Sequence, residues 1–125
     1  MAQTIVLTDV GKAIAAGQVA GTVSAPPKYL AVGTGVHTAA ASDTALTTPA
    51  GSRVGTNAPS LVTTTVTNDT VQIQQTYTAA SDVALTELGA FDAATSGNMF
   101  ISATFDPINL YTGDSIQLTV QAKFA

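Results

Sequence analysis

Cysteine is absent from this 125-residue chain, which excludes a disulfide framework, thiolate chemistry and thiolate metal ligation. Charge is the second scarcity. Only 10% of the residues are Asp, Glu, Lys or Arg, against about 25% in an ordinary soluble domain. The four basic residues, Lys12, Lys28, Arg53 and Lys123, are spread along the chain. No basic cluster is available to displace counterions from a phosphate backbone, so no nucleic-acid partner is expected. No apolar run approaches the roughly 20 residues needed to span a bilayer. Met1-Ala2-Gln3-Thr4 lacks the basic region of a signal peptide. The expectation is a soluble chain without a membrane partner.

Groupings that carry chemistry are equally scarce. The one histidine, His37, has nothing resembling a nucleophile elbow around it, and a Ser-His-Asp triad would need its ring held rigidly beside a serine and an acid. It reads as an exposed loop residue. Asp69, Asp82, Asp92, Asp106 and Asp114 sit at turns or strand ends, where Asp commonly shapes the backbone. Asp9, Asp43 and Asp82 lack the spacing of a calcium loop. Gly33-Thr34-Gly35 opens like a dinucleotide fingerprint, but Thr38 stands where a third glycine is required, and no helical pattern follows. Asn68-Asp69-Thr70 fits the glycosylation pattern and, with no secretory signal, reads as a turn. The expectation is a protein that is not an enzyme and has no cofactor, metal or catalytic residue.

What is present points to β structure. The length fits one domain over residues 1–125, large enough for a core without covalent staples. With a net charge of −4, its polar surface must be built from Thr, Ser, Gln and Asn, a composition typical of chains that meet other protein surfaces. The clearest pattern lies in the last third. Thr86–Asp92 and Met99–Phe105 read as strands around a turn at 93–98, with Asp106-Pro107 breaking the second. Ser115–Phe124 alternates without error: Ile116, Leu118, Val120, Ala122 and Phe124 fall on one face, and Gln117, Thr119, Gln121 and Lys123 on the other. Period 2 is a strand signal, because successive side chains point to opposite faces. These three read as an antiparallel succession.

Upstream, Ile5-Val6-Leu7 is a short apolar run, a strand or part of an N-terminal arm over residues 1–7. Thr8 or Asp9 caps a short helix, Asp9 to Ala16, which Gly17 or Gly21 closes. Gly11 weakens that helix. Ser24-Ala25-Pro26-Pro27 forces an extended connection, and Lys28–Val32 reads as a strand ending at a Gly33-Thr34-Gly35 turn that can use positive φ. Residues 36–60 are a long polar loop, the expected contact loop, with His37, Asp43 and Leu46 as candidate partner contacts beside Ile5, Val6 and Leu7. Leu61–Thr67 and Val71–Thr78 form a hairpin around Asn68-Asp69. The sum is five to seven strands and one helix: a mainly β chain, an antiparallel β-sandwich or partly open barrel with one short N-terminal helix and a long polar loop.

Glu87 stands inside an otherwise apolar strand. A buried carboxylate needs a partner, and Arg53 is the basic residue in the middle of the chain. An Arg53–Glu87 pair is one expectation, and plain alternation toward solvent is the other.

Two stretches resemble tailed-bacteriophage virion proteins and phage tail-fibre modules. LTDVGKAIAAG (residues 7–17), KYLAVGTG (28–35) and SDTAL (42–46) resemble the opening of these proteins. TELGAFDAATSGNMFISATFDPINLYTGDSIQLTV (86–120) resembles their closing part, with a Glu-hydrophobic-Gly-hydrophobic-Phe segment, a Gly-containing turn and a Phe-x-Pro-Ile strand end in order. The matched motifs are structural. The resemblance implies a virion structural protein without enzymatic activity. It implies first a capsid decoration (cement) protein binding the major capsid protein, second a tail, collar or fibre-base component bound to other virion proteins. A host-receptor or glycan-binding β-module is the third reading. Its place would be the virion, assembled in the host cytoplasm. Closed symmetry is the default for oligomers, and a homotrimer suits a threefold or quasi-threefold site on a shell.

Overall fold

The computed structural model describes residues 3–23 and 25–124. Met1 and Ala2 of the expected arm and Ser24 of the proline-rich connection lie outside the described residues. The chain is mainly β, with two antiparallel sheets and one helix, in the order β1 (Gln3–Leu7), α1 (Asp9–Ala20), β2 (Tyr29–Gly33), β3 (Pro49–Val54), β4 (Ser60–Val62), β5 (Thr70–Thr78), β6 (Val83–Phe91), β7 (Met99–Leu110) and β8 (Ser115–Lys123). The five-stranded sheet runs β1-β7-β6-β2-β3 and the three-stranded sheet β4-β5-β8. The architecture is that of a β-sandwich.

The core lies between the sheets. Leu30 and Val32 of β2, Leu85, Leu88 and Ala90 of β6, and Ile101 and Ala103 of β7 meet Ile73, Tyr77 and Val120 from the smaller sheet. Alternation explains the choice of face. On β5, Ile73, Gln75 and Tyr77 are buried while Thr76 and Thr78 are exposed. Gln75 is tolerated there because its amide donates to the Lys28 and Asn57 carbonyls at 3.0 and 2.8 Å and accepts from Asn57 N–H at 3.0 Å, leaving no buried polar group unpaired.

Several expectations are corrected. Of the two readings of Ile5–Leu7, the strand holds and the arm does not: the segment is an edge strand of its own sheet, paired with β7 from Gln3↔Phe105 to Leu7↔Ile101. The helix runs four residues further than Ala16, to Ala20. Thr8 caps its start by accepting from Gly11 N–H at 2.8 Å, and Gly21 ends it in the left-handed conformation at φ 75°. Gly11 is tolerated because α1 crosses β7 closely: a Cβ there would run into the Phe100 carbonyl oxygen. The polar stretch 36–60 contains β3 and the first residue of β4. The strand expected at Leu61–Thr67 ends at Val62.

The closing third divides between sheets. β6 and β7 pair as expected, but β8 crosses over and pairs with β5 in unbroken register, Thr70↔Lys123 to Thr78↔Ser115. Asp106-Pro107 does not end β7. The register shifts between Glu87↔Thr104 and Leu85↔Ile108, and a bulge of this kind is where a strand accommodates proline. Phe124 is 62% exposed, so the inward face of β8 stops at Ala122.

Candidate functional site: a loop strapped over the five-stranded sheet

Residues 34–48 cross the face of the five-stranded sheet that points away from the core. Alternation brings Ala31, Glu87, Phe91, Ser102 and Thr104 to that face, and all are buried. At one end of the strap, Leu46 packs with Ala31, Phe91 and Met99. Along the rest of it, and at both of its ends, polar side chains of β6 and β7 hold the strap.

Glu87 is the centre of that hold. Its Oε2 accepts from Gly35 N–H at 2.9 Å and Thr48 N–H at 2.8 Å, and its Oε1 accepts from Thr47 N–H at 2.9 Å. Three backbone donors satisfy a fully buried carboxylate without a cation. Gly33 and Gly35 make room for it. A Cβ on Gly33 would collide with Glu87 Oε2, and one on Gly35 would stand 2.6 Å from the same oxygen. Neither glycine has positive φ, so close approach, and not the expected turn conformation, explains the Gly-Thr-Gly sequence.

The remaining anchors follow the strap. Thr86 Oγ1 donates to the Gly35 carbonyl at 2.6 Å, Ala39 N–H donates to Thr104 Oγ1 at 3.2 Å, and Ser102 Oγ donates to Asp43 Oδ2 at 2.7 Å. Asp9 N–H, at the start of α1, donates to the Ala41 carbonyl at 2.8 Å. His37 fills the space between two acids. Its Nε2 lies 3.4 Å from Asp43 Oδ2, and its Nδ1 lies 3.6 Å from Glu87 Oε1 and 3.2 Å from Thr47 Oγ1. Burial pushes the Asp43 carboxyl upward, but hydrogen bonds from Ser102 and Ala40 N–H and the proximity of His37 outweigh it, leaving the group below the usual carboxylate range. Ser102, Asp43 and His37 stand together, yet the buried Ser102 hydroxyl gives its hydrogen to Asp43. A nucleophilic serine needs that bond to the imidazole. Among the described residues no group of three or more His, Cys, Asp or Glu could hold a metal ion.

The sequence-derived contacts are therefore rearranged. His37, Asp43 and Leu46 turn inward and support the loop; His37 is not the exposed loop residue expected. Val36, Thr38, Ala40, Ser42, Thr44 and Ala45 form the exposed side, without a charge among them. In β1, Ile5 is 48% exposed, and Val6 and Leu7 are half-buried. The expected Arg53–Glu87 pair does not form, and Glu87 does not face solvent. Arg53 instead lies 3.6 Å over the Phe91 ring and donates to the Ala93 and Ser96 carbonyls at 2.9 and 2.6 Å, clamping the β6–β7 turn. The sequence signal for the true partner of Glu87 was the glycine pair at 33 and 35, which reports a nearby group needing space. No known protein-family model, curated protein or solved structure matches this chain.

Proposed function

We propose that this chain is a non-enzymatic structural component of a tailed-phage virion, and within it a capsid decoration (cement) protein that binds assembled capsomers as a homo-oligomer. The observation that carries the reading is the strapped loop: an exposed, uncharged surface held in place by a buried carboxylate and at least four further hydrogen bonds. A surface already ordered binds without the cost of ordering it. That suits a protein that must occupy many equivalent shell sites, adding its binding free energy to particle stability by mass action. The stretches that resemble virion proteins support the same reading. They cover most of α1, all of β2, part of the strap, most of β6, all of β7 and the larger part of β8.

Co-sedimentation with expanded empty capsids tests it. Saturable binding is expected, weakened about tenfold, equivalent to about 1.4 kcal/mol, by Val36→Glu on the exposed side of the strap. Val36 is 89% exposed, so the substitution leaves the core untouched. No capsid binding at saturating protein would overturn the decoration role, and binding to isolated tails would move the protein to the tail, collar or fibre base.

A further inference from the structure

The two sheets present four edges, β1 and β3 on the larger and β4 and β8 on the smaller. An unpaired edge templates the addition of another strand unless something blunts it. β3 begins with Pro49, carries Arg53, holds Gly51 at φ 74° and pairs irregularly with β2. β4 is three residues long and follows Pro59. β1 is five residues long. Of these devices β8 has only a charge at its very end, Lys123. It is nine residues long, without proline, glycine or a bulge, and is uncharged from Ser115 to Ala122. Its inward residues Ile116, Leu118 and Ala122 stay half-buried, beside two cavities of about 260 and 200 Å³ that separate β8 from β1.

The outward face of β8 is already suited to a polar ladder. Toward β5, Gln74 Nε2 donates to Thr119 Oγ1 at 3.0 Å, Gln121 Nε2 donates to Gln72 Oε1 at 2.8 Å, and the Thr78 and Ser115 hydroxyls lie 2.7 Å apart.

We propose that β8 pairs antiparallel with β8 of a second copy about a two-fold axis at Thr119, joining the two three-stranded sheets into one of six strands. An axis along the sheet normal keeps both apolar faces on one side, which requires facing residues of equal parity. Centring on Thr119 then uses all nine positions of the strand. Thr119 faces its own copy, Gln117 faces Gln121, and Ser115 faces Lys123. This register sets Lys123 at each end of the ladder, next to the turn in which Asp114 of the second copy accepts from its own Tyr111 N–H. Among the described residues Lys123 takes part in no ion pair within the monomer. A single charge thus stands at each end of an otherwise neutral ladder, while slipped registers leave edge unpaired. The contact replaces the expected trimer by a two-fold pair and does not depend on where in a particle the protein sits.

The absence of native cysteine makes the test direct. Sedimentation analysis of the full chain should give twice the 12.5 kDa monomer mass. Thr119→Cys should form a disulfide-linked dimer under mild oxidation, while Gln74→Cys, on the same face of the interior strand β5, should not. Gln117→Cys and Gln121→Cys should cross-link when mixed and not separately. Thr119→Lys should give a monomer with unchanged circular dichroism and a melting temperature that, unlike that of the wild type, does not rise with protein concentration. A monomeric or trimeric wild type, or cross-linking at Gln74 in place of Thr119, overturns the pairing; failure of the mixed Gln117 and Gln121 variants alone overturns the register.

Discussion

Glu87 shows how far one residue determines the site. Replacing a carboxylate oxygen by an amide places N–H against backbone N–H and leaves buried donors unsatisfied, each costing about 1–3 kcal/mol. Glu87→Gln should therefore destabilise the protein by about 3 kcal/mol in chemical denaturation. Arg53 and Glu87 have separate partners, so the Glu87→Gln and Arg53→Ala effects should add, with a coupling energy within about 0.5 kcal/mol of zero. A larger coupling would restore the ion pair that the geometry rejects.

Two other acids make stability depend on pH. Asp69 accepts from Val66, Thr64 and Thr65 N–H and from the Thr70 hydroxyl. These bonds, that from Val66 foremost, hold it far below the usual range. Asp43 is shifted in the same direction. A depressed folded pKa adds stability that is full above the unfolded value of about 3.9 and is lost as pH falls through the lower folded value. Unfolding midpoints should drop as pH falls below about 4, and more gently in Asp43→Asn and Asp69→Asn. Parallel curves for wild type and variants would refute this assignment.

At the scale of elements, the strap and the strands beneath it form a separable layer. β6 and β7 present apolar residues to the core on one face and Glu87, Ser102 and Thr104 to the strap on the other. Release of the strap need not open the sandwich. In Glu87→Gln, hydrogen exchange at the Gly35, Thr47 and Thr48 amides should accelerate, while the β5 and β8 amides keep their protection. Uniform acceleration would show that the strap and the core open as one unit. The N-terminus of α1 belongs to the same layer, since Thr8 Oγ1 donates to the Met99 carbonyl at 2.6 Å while capping the helix.

Across the whole molecule, alternation in the sequence was enough to determine the fold class, most strands and the inward faces of β5 and β8. A two-residue period reports which side of a strand is apolar whatever lies opposite. Capping did the same for the start of α1, because Thr8 acts on its own first turn. The sequence could not show that β8 leaves β7 for β5, because pairing is a choice among edges far apart in the chain. Nor could it assign Glu87, whose donors lie 39 to 52 residues away and are backbone groups every residue carries. Local pattern determined which residues form strands and which side of each is apolar. Only tertiary packing decided that the polar loop is a strap, that its named side chains point inward, and that β8 is an edge of the smaller sheet.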